Sequence, residues 1–385
     1  MPSHWPASVQ HPFSPSGRQN PYPAYQWLRR NSPVRFDPFM RFWLLTTHAD
    51  CAAALRDPRF SAALGQRQRL RDDELPPSML NTDSPEHERL RGPASALTGP
   101  AHIQELLGGL SGRIERQLAE LPAQVDAYAD LGEPYARAVL ATLLELPEKQ
   151  WGEFGELARD ASVNLDPLAG PGAAAAGRQV MTELTALLDA NLGKVLAAGD
   201  DTPLTRLGSD ERLTRGEVLG VLGLIVVGGY LPLADLIGNA MYCLVGRPDL
   251  IECALRDPDR AMEEVARLYA PIPFTARVTT QDVELAGGTI PAGGRVLLLL
   301  ESANRDEVVF DRAEEPVLDR SPNPHLAYAA GPHFCLGAVL VRRAAALLLP
   351  AVFAEFSGIR ALEEDPRWAR AIVPRRLVSY RLHLR

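Results

Sequence analysis

The stretch Tyr328-Ala-Ala-Gly-Pro-His-Phe-Cys-Leu-Gly337 runs directly into the segment Ala338-Val-Leu-Val-Arg-Arg343. It places Cys335 in a glycine-rich loop immediately before a predicted apolar helix. Backbone N–H groups of such a loop and of a helix N-terminus stabilise negative charge, so they favour a thiolate. Gly331 and Gly337 allow the backbone to turn tightly and to approach a flat ligand closely. For Cys335 considered alone, a small buried hydrophobic residue is the alternative.

This stretch resembles the heme-binding signature of the cytochrome P-450 family, F-x-x-G-x-(H/R)-x-C-x-G. It departs from the signature only at Tyr328, which stands in place of Phe. The resemblance implies a heme b cofactor whose iron is bound by Cys335, with Gly337 in the binding loop. A thiolate ligand donates electron density to heme iron and favours O–O cleavage. It also implies the P-450 fold, mainly α with a minor β-sheet region, and a heme-thiolate oxidoreductase.

Two motifs that support the heme in this family occur in the same order. Glu264-Val-Ala-Arg267 matches E-x-x-R on a helix, where residues three apart are neighbours and pair. Ala303-Asn-Arg-Asp306 matches A-N-R-D. The family usually has an arginine further on that completes the E-x-x-R network, and here Glu315 takes its place. Arg320 is the alternative source of that charge.

A third motif lies nearer the start of the chain. Asp83-Ser-Pro-Glu-His-Glu-Arg-Leu-Arg91 resembles the family pattern D-P-P-x-H-x-x-x-R, and it puts His87 and Arg91 on one helix face. By resemblance these two residues bind the heme propionates, for which the guanidinium fork is well shaped. Arg277 and His333 match further propionate contacts. A solvated helix face is the alternative for His87 and Arg91.

The helix that covers the heme departs from the family pattern. Relatives read A/G-G-x-(D/E)-T there, but Val226-Val-Gly-Gly-Tyr-Leu-Pro-Leu-Ala234 puts Leu231 at the acid and Pro232 at the alcohol. Neither side chain transfers a proton. Pro232 also removes a backbone donor, which predicts a kink and free carbonyls able to hold water. We assign Gly229, Tyr230, Leu231 and Pro232 to this catalytic segment.

Three functions are compatible with that departure. The first is dioxygen activation with protons arriving through water or from the substrate, either for hydroxylation or for oxidative coupling of aromatic rings. The second is a peroxide-driven oxygenase, although no arginine lies between Arg215 and Arg247. The third is a heme-binding carrier or sensor.

Tyr230 either lies above the heme or packs against the helix bundle, and Asp235 is predicted to satisfy a backbone group.

Composition bounds the class of protein. The chain has 385 residues, 46% hydrophobic and 23% charged, as in ordinary globular proteins. Its net charge of −8 gives no reason to expect a nucleic acid or an anionic membrane as partner. Four scattered cysteines without a C-x-x-C pair indicate reduced thiols. The start of the sequence lacks a signal-like basic and apolar run, so we expect a cytoplasmic protein without a membrane anchor.

The pattern of elements predicts a single domain over residues 1–385. Helical periodicity dominates about 82–268 and 336–355, whereas about 34–46, 276–300 and 370–385 are predicted to be rich in β structure. Val218 to Ala234 has no charge, and we interpret it as a buried helix. Asp50 is predicted to cap the helix from Cys51 to Arg56. Asp166 to Ala176 is interpreted as a flexible lid or connection.

The resemblance also predicts which segments contact the substrate and the electron donor. The segments expected to line the substrate site are Ser61 to Leu80, Val163 to Gly177, Val226 to Ala234, Pro271 to Ala276 and Ile372 to Pro374. They favour an apolar or aromatic natural product, either a small molecule or a peptide. Arg375 and Arg376 either meet an acidic group or lie at the surface. Ferredoxin and ferredoxin reductase are the expected electron donors, with Arg342 and Arg343 as docking charges or as part of a solvated face.

Overall fold

The computed structural model describes residues 9–63, 78–162, 171–363 and 366–385. Its α-helices in chain order are α1 (Tyr22–Asn31), α2 (His48–Ala54), α3 (Glu86–Ala94), α4 (Pro100–Ala119), α5 (Glu133–Leu143), α6 (Trp151–Ala161), α7 (Pro171–Ala198), α8 (Pro203–Gly208), α9 (Arg215–Leu244), α10 (Pro248–Arg256), α11 (Pro258–Tyr269), α12 (Leu300–Ala303) and α13 (Ala338–Glu355). A π-helical segment, Ala127–Gly132, precedes α5. The predicted helical regions therefore hold most of the helices.

The strands are short. They are β1 (Val34–Asp37), β2 (Phe42–Leu45), β3 (Phe60–Ser61), β4 (Gln124–Asp126), β5 (Thr275–Thr279), β6 (Val283–Leu285), β7 (Gly288–Ile290), β8 (Arg295–Leu298), β9 (Arg360–Ala361) and β10 (Arg381–His383). The largest sheet has the order β1-β2-β8-β5-β3, and only the β2–β8 pair is parallel. Strands β4, β10 and β9 form a second sheet, and β6 pairs with β7.

Helix α9 is the central helix of the fold. Thr214 and Glu217 form a capping box at its start, and the helix continues through Pro232 to Leu244. It packs against α3, α5, α6, α11 and α13. Among the described residues it is the one helix long and apolar enough to cross a membrane, but 67% of its most apolar window is buried within the protein. It is therefore placed as a core helix, which agrees with the interpretation of Val218 to Ala234.

Three local predictions differ from the structure. Helix α2 is capped by Thr47, whose side chain accepts the N–H of Asp50, so the cap predicted at Asp50 is wrong. Asp50 instead contributes its charge to the first turn, where the helix dipole favours an acid. The alanines predicted to form a lid belong to α7, which begins at Pro171, because alanine has the highest helix propensity. The alternation of apolar and polar residues from Val278 to Leu285 predicts one continuous strand, but the structure interrupts it between β5 and β6.

Candidate functional site

The loop around Cys335 is held in shape by its backbone. A 3₁₀ turn, Gly331–His333, precedes the cysteine, and Gly331 has a φ of 69°. A Cβ at that glycine would lie 2.4 Å from the carbonyl oxygen of Leu55, so a larger residue does not fit. The N–H of Cys335 donates to the carbonyl oxygen of Tyr328 at 2.9 Å. Helix α13 begins three residues after the cysteine.

The sulfur of Cys335 lies among hydrogen-bond donors and positive charge. Burial raises the pKa of the thiol, and this effect exceeds the opposing influence of the backbone N–H groups of Gly337 and Ala338 and of the charges on Arg91 and Arg342. A Cβ built at Gly337 would meet nothing within 4 Å, so space is open beside the loop. Donors that favour the anion, next to open space, are the surroundings that a metal-binding thiolate requires.

Four side chains from three separate elements converge near this loop. They are His87 and Arg91 on α3, Arg277 on β5, and His333 in the 3₁₀ turn. The rings of His87 and His333 lie 4.2 Å apart, centroid to centroid. The guanidinium of Arg91 donates to the carbonyl oxygen of Phe334 at 2.6 Å. The fold therefore brings together all four residues that the sequence assigned to one anionic ligand.

The electrostatics of this cluster favour an anionic ligand. Burial, with the neighbouring Arg277 and His87, lowers the pKa of His333 to about 4. Burial lowers the pKa of Arg277 to about 10, against a weak opposing effect of Asp83. Neither ring nitrogen of the buried His87 has a hydrogen-bond partner among the residues that the structure describes. Buried polar groups are normally paired, so these residues fit a ligand that carries carboxylates, as heme does with its two propionates.

Glu264 and Arg267 form a fully buried ion pair on α11. The guanidinium donates twice to the carboxylate, at 2.8 Å each. It also donates at 2.7 Å to the backbone carbonyl oxygens of Asn304 and Ala313. Burial alone would raise the pKa of Glu264, but the hydrogen bonds and charge of Arg267, the N–H of Val317 and the charge of Arg320 together outweigh it and lower the pKa. The pair therefore ties α11 to the long irregular segment that leads to the Cys335 loop.

Arg320 supplies the second cation of this network. Its Nε donates to both oxygens of the Glu264 carboxylate, at 3.1 and 3.2 Å. Glu315, which aligns with the usual arginine, contributes only its backbone carbonyl oxygen, to Arg267 at 3.1 Å. Asn323 donates to the same carboxylate. The alternative that the sequence left open, Arg320 in place of the family arginine, is the arrangement found.

The middle of α9 borders open space at one position. Gly228 is exposed although the helix around it is mostly buried, and a Cβ there would meet nothing within 4 Å. Gly229, by contrast, lies close to Leu140 on α5. Helix α9 packs against α3, which carries His87 and Arg91, and against α13, which follows Cys335. The exposed stripe at Gly228 is thus the part of α9 with room for a flat ligand.

Tyr230 points to the other side of α9. Its ring packs edge-on against Phe154 of α6, with centroids 6.3 Å apart. A Cβ built on Gly155, also in α6, would lie 3.3 Å from the Tyr230 hydroxyl. The charges that act on this hydroxyl belong to Glu133, Arg159 and Arg137, all on α5 or α6. Of the two placements that the sequence left open, the structure has the one packed in the helix bundle.

Leu231 and Pro232 occupy the next turn of the helix after Gly228, and both are buried. Neither offers an ionisable group or a hydroxyl. Because Pro232 has no N–H, the carbonyl oxygen of Gly228 lacks the helical donor it would otherwise have. This turn of the helix thus offers a free backbone acceptor, and neither Leu231 nor Pro232 can donate a proton.

Sequence reasoning missed a group of charges further along α9. Asp235 was predicted to satisfy a backbone group, but its Oδ1 lies 3.3 Å from Nη1 of Arg376 and neither oxygen has a hydrogen-bond partner in the described part of the chain. The Arg376 side chain, which is 21% exposed, therefore meets an acid of the protein itself. Arg375 lies 2.9 Å from Glu301, and both of these side chains are largely buried. No local pattern reveals such pairs, because their members are far apart in the sequence.

The remaining predicted contacts have mixed outcomes. Arg342 pairs with Glu263 and Arg343 pairs with Asp259, so both docking candidates have acidic partners on α11. Phe274, in one segment expected to line the substrate site, packs edge-on against Phe13. Residues 64–77 and 163–170, in two other expected lining segments, lie outside the described residues.

Comparisons with known proteins agree with this geometry. A model of the cytochrome P-450 family matches residues 259–367. Cytochrome P-450 107B1 of Saccharopolyspora erythraea is 31% identical over 363 residues, which cover 87% of this chain and 87% of that protein. Nocardicin C N-oxygenase of Nocardia uniformis is 31% identical over 377 residues, with 91% and 92% covered. The crystal structure of CalO2 matches with a TM-score of 0.89 and 27% identity, covering 98% of this chain and 99% of CalO2.

These comparisons lead to one conclusion. They give a relative above 30% identity along most of both chains, a matching family model and a shared fold. The Cys335 loop and the E-x-x-R pair both lie within the residues that the family model matches. The chain therefore belongs to the cytochrome P-450 family, has the P-450 fold and is a heme b monooxygenase.

Proposed function

We propose that Cys335 is the thiolate ligand of the heme iron and that Gly337 leaves room for the macrocycle beside it. The propionates are held by the four converging side chains His87, Arg91, Arg277 and His333. The observation that carries this proposal is the buried His87, which has no hydrogen-bond partner in the described part of the chain. It lies next to Arg277 and His333, whose pKa values are lowered because burial is not offset by a sufficient counter-charge. Two carboxylates placed there would satisfy the donors and offset the positive charge.

Bound heme b would supply the activation of dioxygen. For each oxygen atom inserted into a substrate, two electrons and two protons are consumed and one water molecule is released. The chain has four tasks around that chemistry. Cys335 donates electron density through its thiolate. The Glu264–Arg267–Arg320 network keeps the segment before the Cys335 loop in place. Gly228 keeps the face of α9 clear, and the apolar side chains near it exclude bulk water, which strengthens electrostatic interactions in the site.

We infer that the substrate is an apolar or aromatic natural product and that the enzyme tailors it during biosynthesis in the cytoplasm. Leu224 and Ile225 are half-buried next to exposed Gly228 and give the open face of α9 an apolar lining. A relative at 31% identity is named for N-oxygenation of nocardicin C. Hydroxylation and oxidative coupling both remain within this proposal, since Leu231 and Pro232 favour protons that come from water or from the substrate.

A comparison of two electron sources tests the proposed reaction. We expect product when the holoenzyme receives NADPH, ferredoxin and ferredoxin reductase under air, with a panel of apolar aromatic substrates that shift the heme spectrum on binding. Product formed with hydrogen peroxide alone, and not with the reductase system, would instead identify a peroxide-driven oxygenase. Tight binding without product in either system would identify a carrier or sensor.

The distal segment has its own test. Replacing Leu231 by Asp together with Pro232 by Thr restores the acid and alcohol that relatives carry. We expect this double variant to change the amount of product formed per NADPH consumed, because it introduces a second route for protons. Equal coupling in the two proteins would show that these positions do not govern proton supply.

A further inference from the structure

A pocket lies between residues 12–25, near the start of the chain, and residues 371–375, near its end. Its enclosed part has room for a group of only a few heavy atoms, and the rest opens to solvent. The lining is mostly apolar and aromatic, and it includes three charged side chains, those of Arg18, Glu301 and Arg375. The described lining residues belong neither to the four side chains assigned to the heme propionates nor to the catalytic segment of α9.

The charged groups of this pocket leave an excess of positive charge. Arg18 and Arg375 are two guanidinium groups, and Glu301 is the one carboxylate among the described lining residues. The Arg18 guanidinium donates to backbone carbonyl oxygens, at 2.9 Å to Phe13 and 2.5 Å to Arg370, and it forms no ion pair in the described part of the chain. Because a charge away from bulk water is stabilised by an opposite charge, the pocket favours a ligand with one negative charge.

Arg375 has a donor to spare. Its side chain is only 10% exposed, and Nη1 donates to the carbonyl oxygen of Arg18 at 2.8 Å. Nε lies 2.9 Å from Oε1 of Glu301 without the geometry of a hydrogen bond, and that oxygen already accepts the hydroxyl of Tyr22 at 2.8 Å. Nη2 has no hydrogen-bond partner among the residues that the structure describes. Buried donors are normally satisfied, so a further acceptor is expected beside Nη2.

Bonds between the two ends of the chain hold the walls of the pocket in place. Gln19 makes two hydrogen bonds of 3.0 Å with the backbone of Trp368, one as donor and one as acceptor. The N–H of Arg375 donates to the carbonyl oxygen of Pro271 at 2.6 Å. The Arg375 guanidinium also lies over the Trp368 ring, 4.1 Å from its centroid. A site fixed in this way loses little freedom when a ligand enters, which favours binding.

We propose that this pocket binds an apolar monocarboxylic acid. One oxygen of its carboxylate accepts a hydrogen bond from Nη2 of Arg375, and the charge of Arg18 offsets the negative charge that Glu301 does not need. The aliphatic or aromatic body of the acid extends past Phe13 and Ile372 to the open side of the pocket. A dicarboxylate is disfavoured, since Glu301 would repel its second charge.

Two sources of such an acid are compatible with the pocket. Pro273 and Ile372 belong to two segments that the sequence predicts to contact the substrate, so the carboxylate is either part of the substrate or part of a separate small molecule. Absorption of the heme distinguishes these sources. A substrate acid changes both the heme spectrum and the emission of Trp368, whereas a separate ligand changes only the emission of Trp368.

The probe is 4-phenylbutyrate, and 4-phenylbutanamide is its uncharged control. Each is titrated into the holoenzyme and followed by calorimetry and by the emission of Trp368, taken as the difference between the wild type and Trp368→Phe. We expect saturable binding of the acid and binding of the amide that is weaker by about tenfold or more, because the amide lacks the charge that strengthens a hydrogen bond to a guanidinium.

Three variants locate the site. Arg375→Met should weaken binding of the acid by about tenfold or more. Arg370→Met is the matched control, since its exposed side chain lies outside the lining, and it should bind the acid as the wild type does. Ala371→Leu fills the exposed side of the pocket and leaves the Arg375–Glu301 pair intact. It should also weaken binding, and it decides the test if Arg375→Met does not fold.

Three results would overturn the proposal. They are equal affinity for the acid and the amide, unchanged affinity for the acid in Ala371→Leu or in folded Arg375→Met, and no saturable binding of the acid to the wild type. The pocket would then hold water only. The proposed monooxygenase function stands in each case, because the inference goes beyond it and uses none of the residues assigned to the heme.

Discussion

The loop around Cys335 and the middle of α9 differ in how closely they follow the family pattern. At the loop, one conservative change, Tyr328 for Phe, leaves the sulfur, its backbone donors and the supporting ion pair in place. On α9, Leu231 and Pro232 occupy the two positions at which the resemblance predicts an acid and an alcohol. The buried charges on α9 lie instead one turn further along, at Asp235. The residues assigned to the cofactor thus follow the family pattern, whereas those of the catalytic segment on α9 depart from it.

The reason for this difference is physical. The groups that hold the cofactor depend on one another at short distances: the thiolate needs its N–H donors, and the buried carboxylate needs its guanidinium partners. A change in one group therefore leaves another buried and unpaired. A proton can instead travel through water and through several side chains. The side chains that supply protons are therefore less constrained in position than those that hold the cofactor.

The largest effect is expected at Glu264. In Glu264→Gln, the fully buried Arg267 and the nearby Arg320 lose their counter-charge. Breaking a buried ion pair on one side costs about 3–5 kcal/mol, so we expect most of the protein to lose heme or fail to fold. Urea unfolding and the heme content of the purified protein measure this. Glu263→Gln is the matched control, since its partly exposed pairs with His325 and Arg342 should cost about 1 kcal/mol or less.

Arg320 and Glu315 test how the network is completed. Arg320→Met removes hydrogen bonds to a buried charge and should lower the free energy of unfolding by about 1.5–3 kcal/mol. Glu315→Ala should leave it within about 0.5 kcal/mol, because only the backbone of Glu315 takes part. The reverse order in urea unfolding would mean that the side chain of Glu315, and not that of Arg320, supports the site.

Arg91 tests the proposed propionate contacts. In Arg91→Met one of the converging cations is removed while most of the packing of its stem remains. We expect heme affinity to fall about tenfold, or ~1.4 kcal/mol, measured as faster transfer of heme to apomyoglobin. Arg89→Met on the same helix is the control, because Arg89 pairs with Glu86 and Glu217 away from the cluster. Similar losses in both variants would argue for a general effect on α3.

The smallest effect is expected at Tyr230. Its hydroxyl is buried without a hydrogen-bond partner in the described part of the chain, so removing it leaves no new unpaired group. Tyr230→Phe should change the free energy of unfolding by less than about 1 kcal/mol in a urea titration. A loss above 2 kcal/mol would show that the guanidinium of Arg159 bonds to this hydroxyl.

The parts of the molecule that the sequence predicts well are those with local patterns. Cys335 lies in a contiguous signature, Glu264 and Arg267 are three residues apart, and His87 and Arg91 are four apart. Such spacings specify neighbours on a helix without any knowledge of the fold. The mainly helical class with a minor sheet follows from periodicity in the same way.

The parts that it does not predict depend on packing between distant segments. Asp235 meets Arg376 only because the last segment of the chain lies against α9, and no spacing encodes that contact. The choice between Glu315 and Arg320 required the path of an irregular segment. The side of α9 on which Tyr230 lies depends on the position of α6. Alanines 173–176 were misassigned because a glycine–proline stretch precedes them, although their propensity is helical.

The identity of the iron ligand is the central claim, and the carbon-monoxide difference spectrum of reduced Cys335→Ser tests it most directly. The wild type should show the red-shifted band of a thiolate-bound heme, and the variant should lose that band while it still binds heme through His87, Arg91, Arg277 and His333. Cys253→Ser, at another half-buried cysteine, should leave the band intact. An unchanged thiolate band in Cys335→Ser would contradict the assignment and place the iron ligand elsewhere.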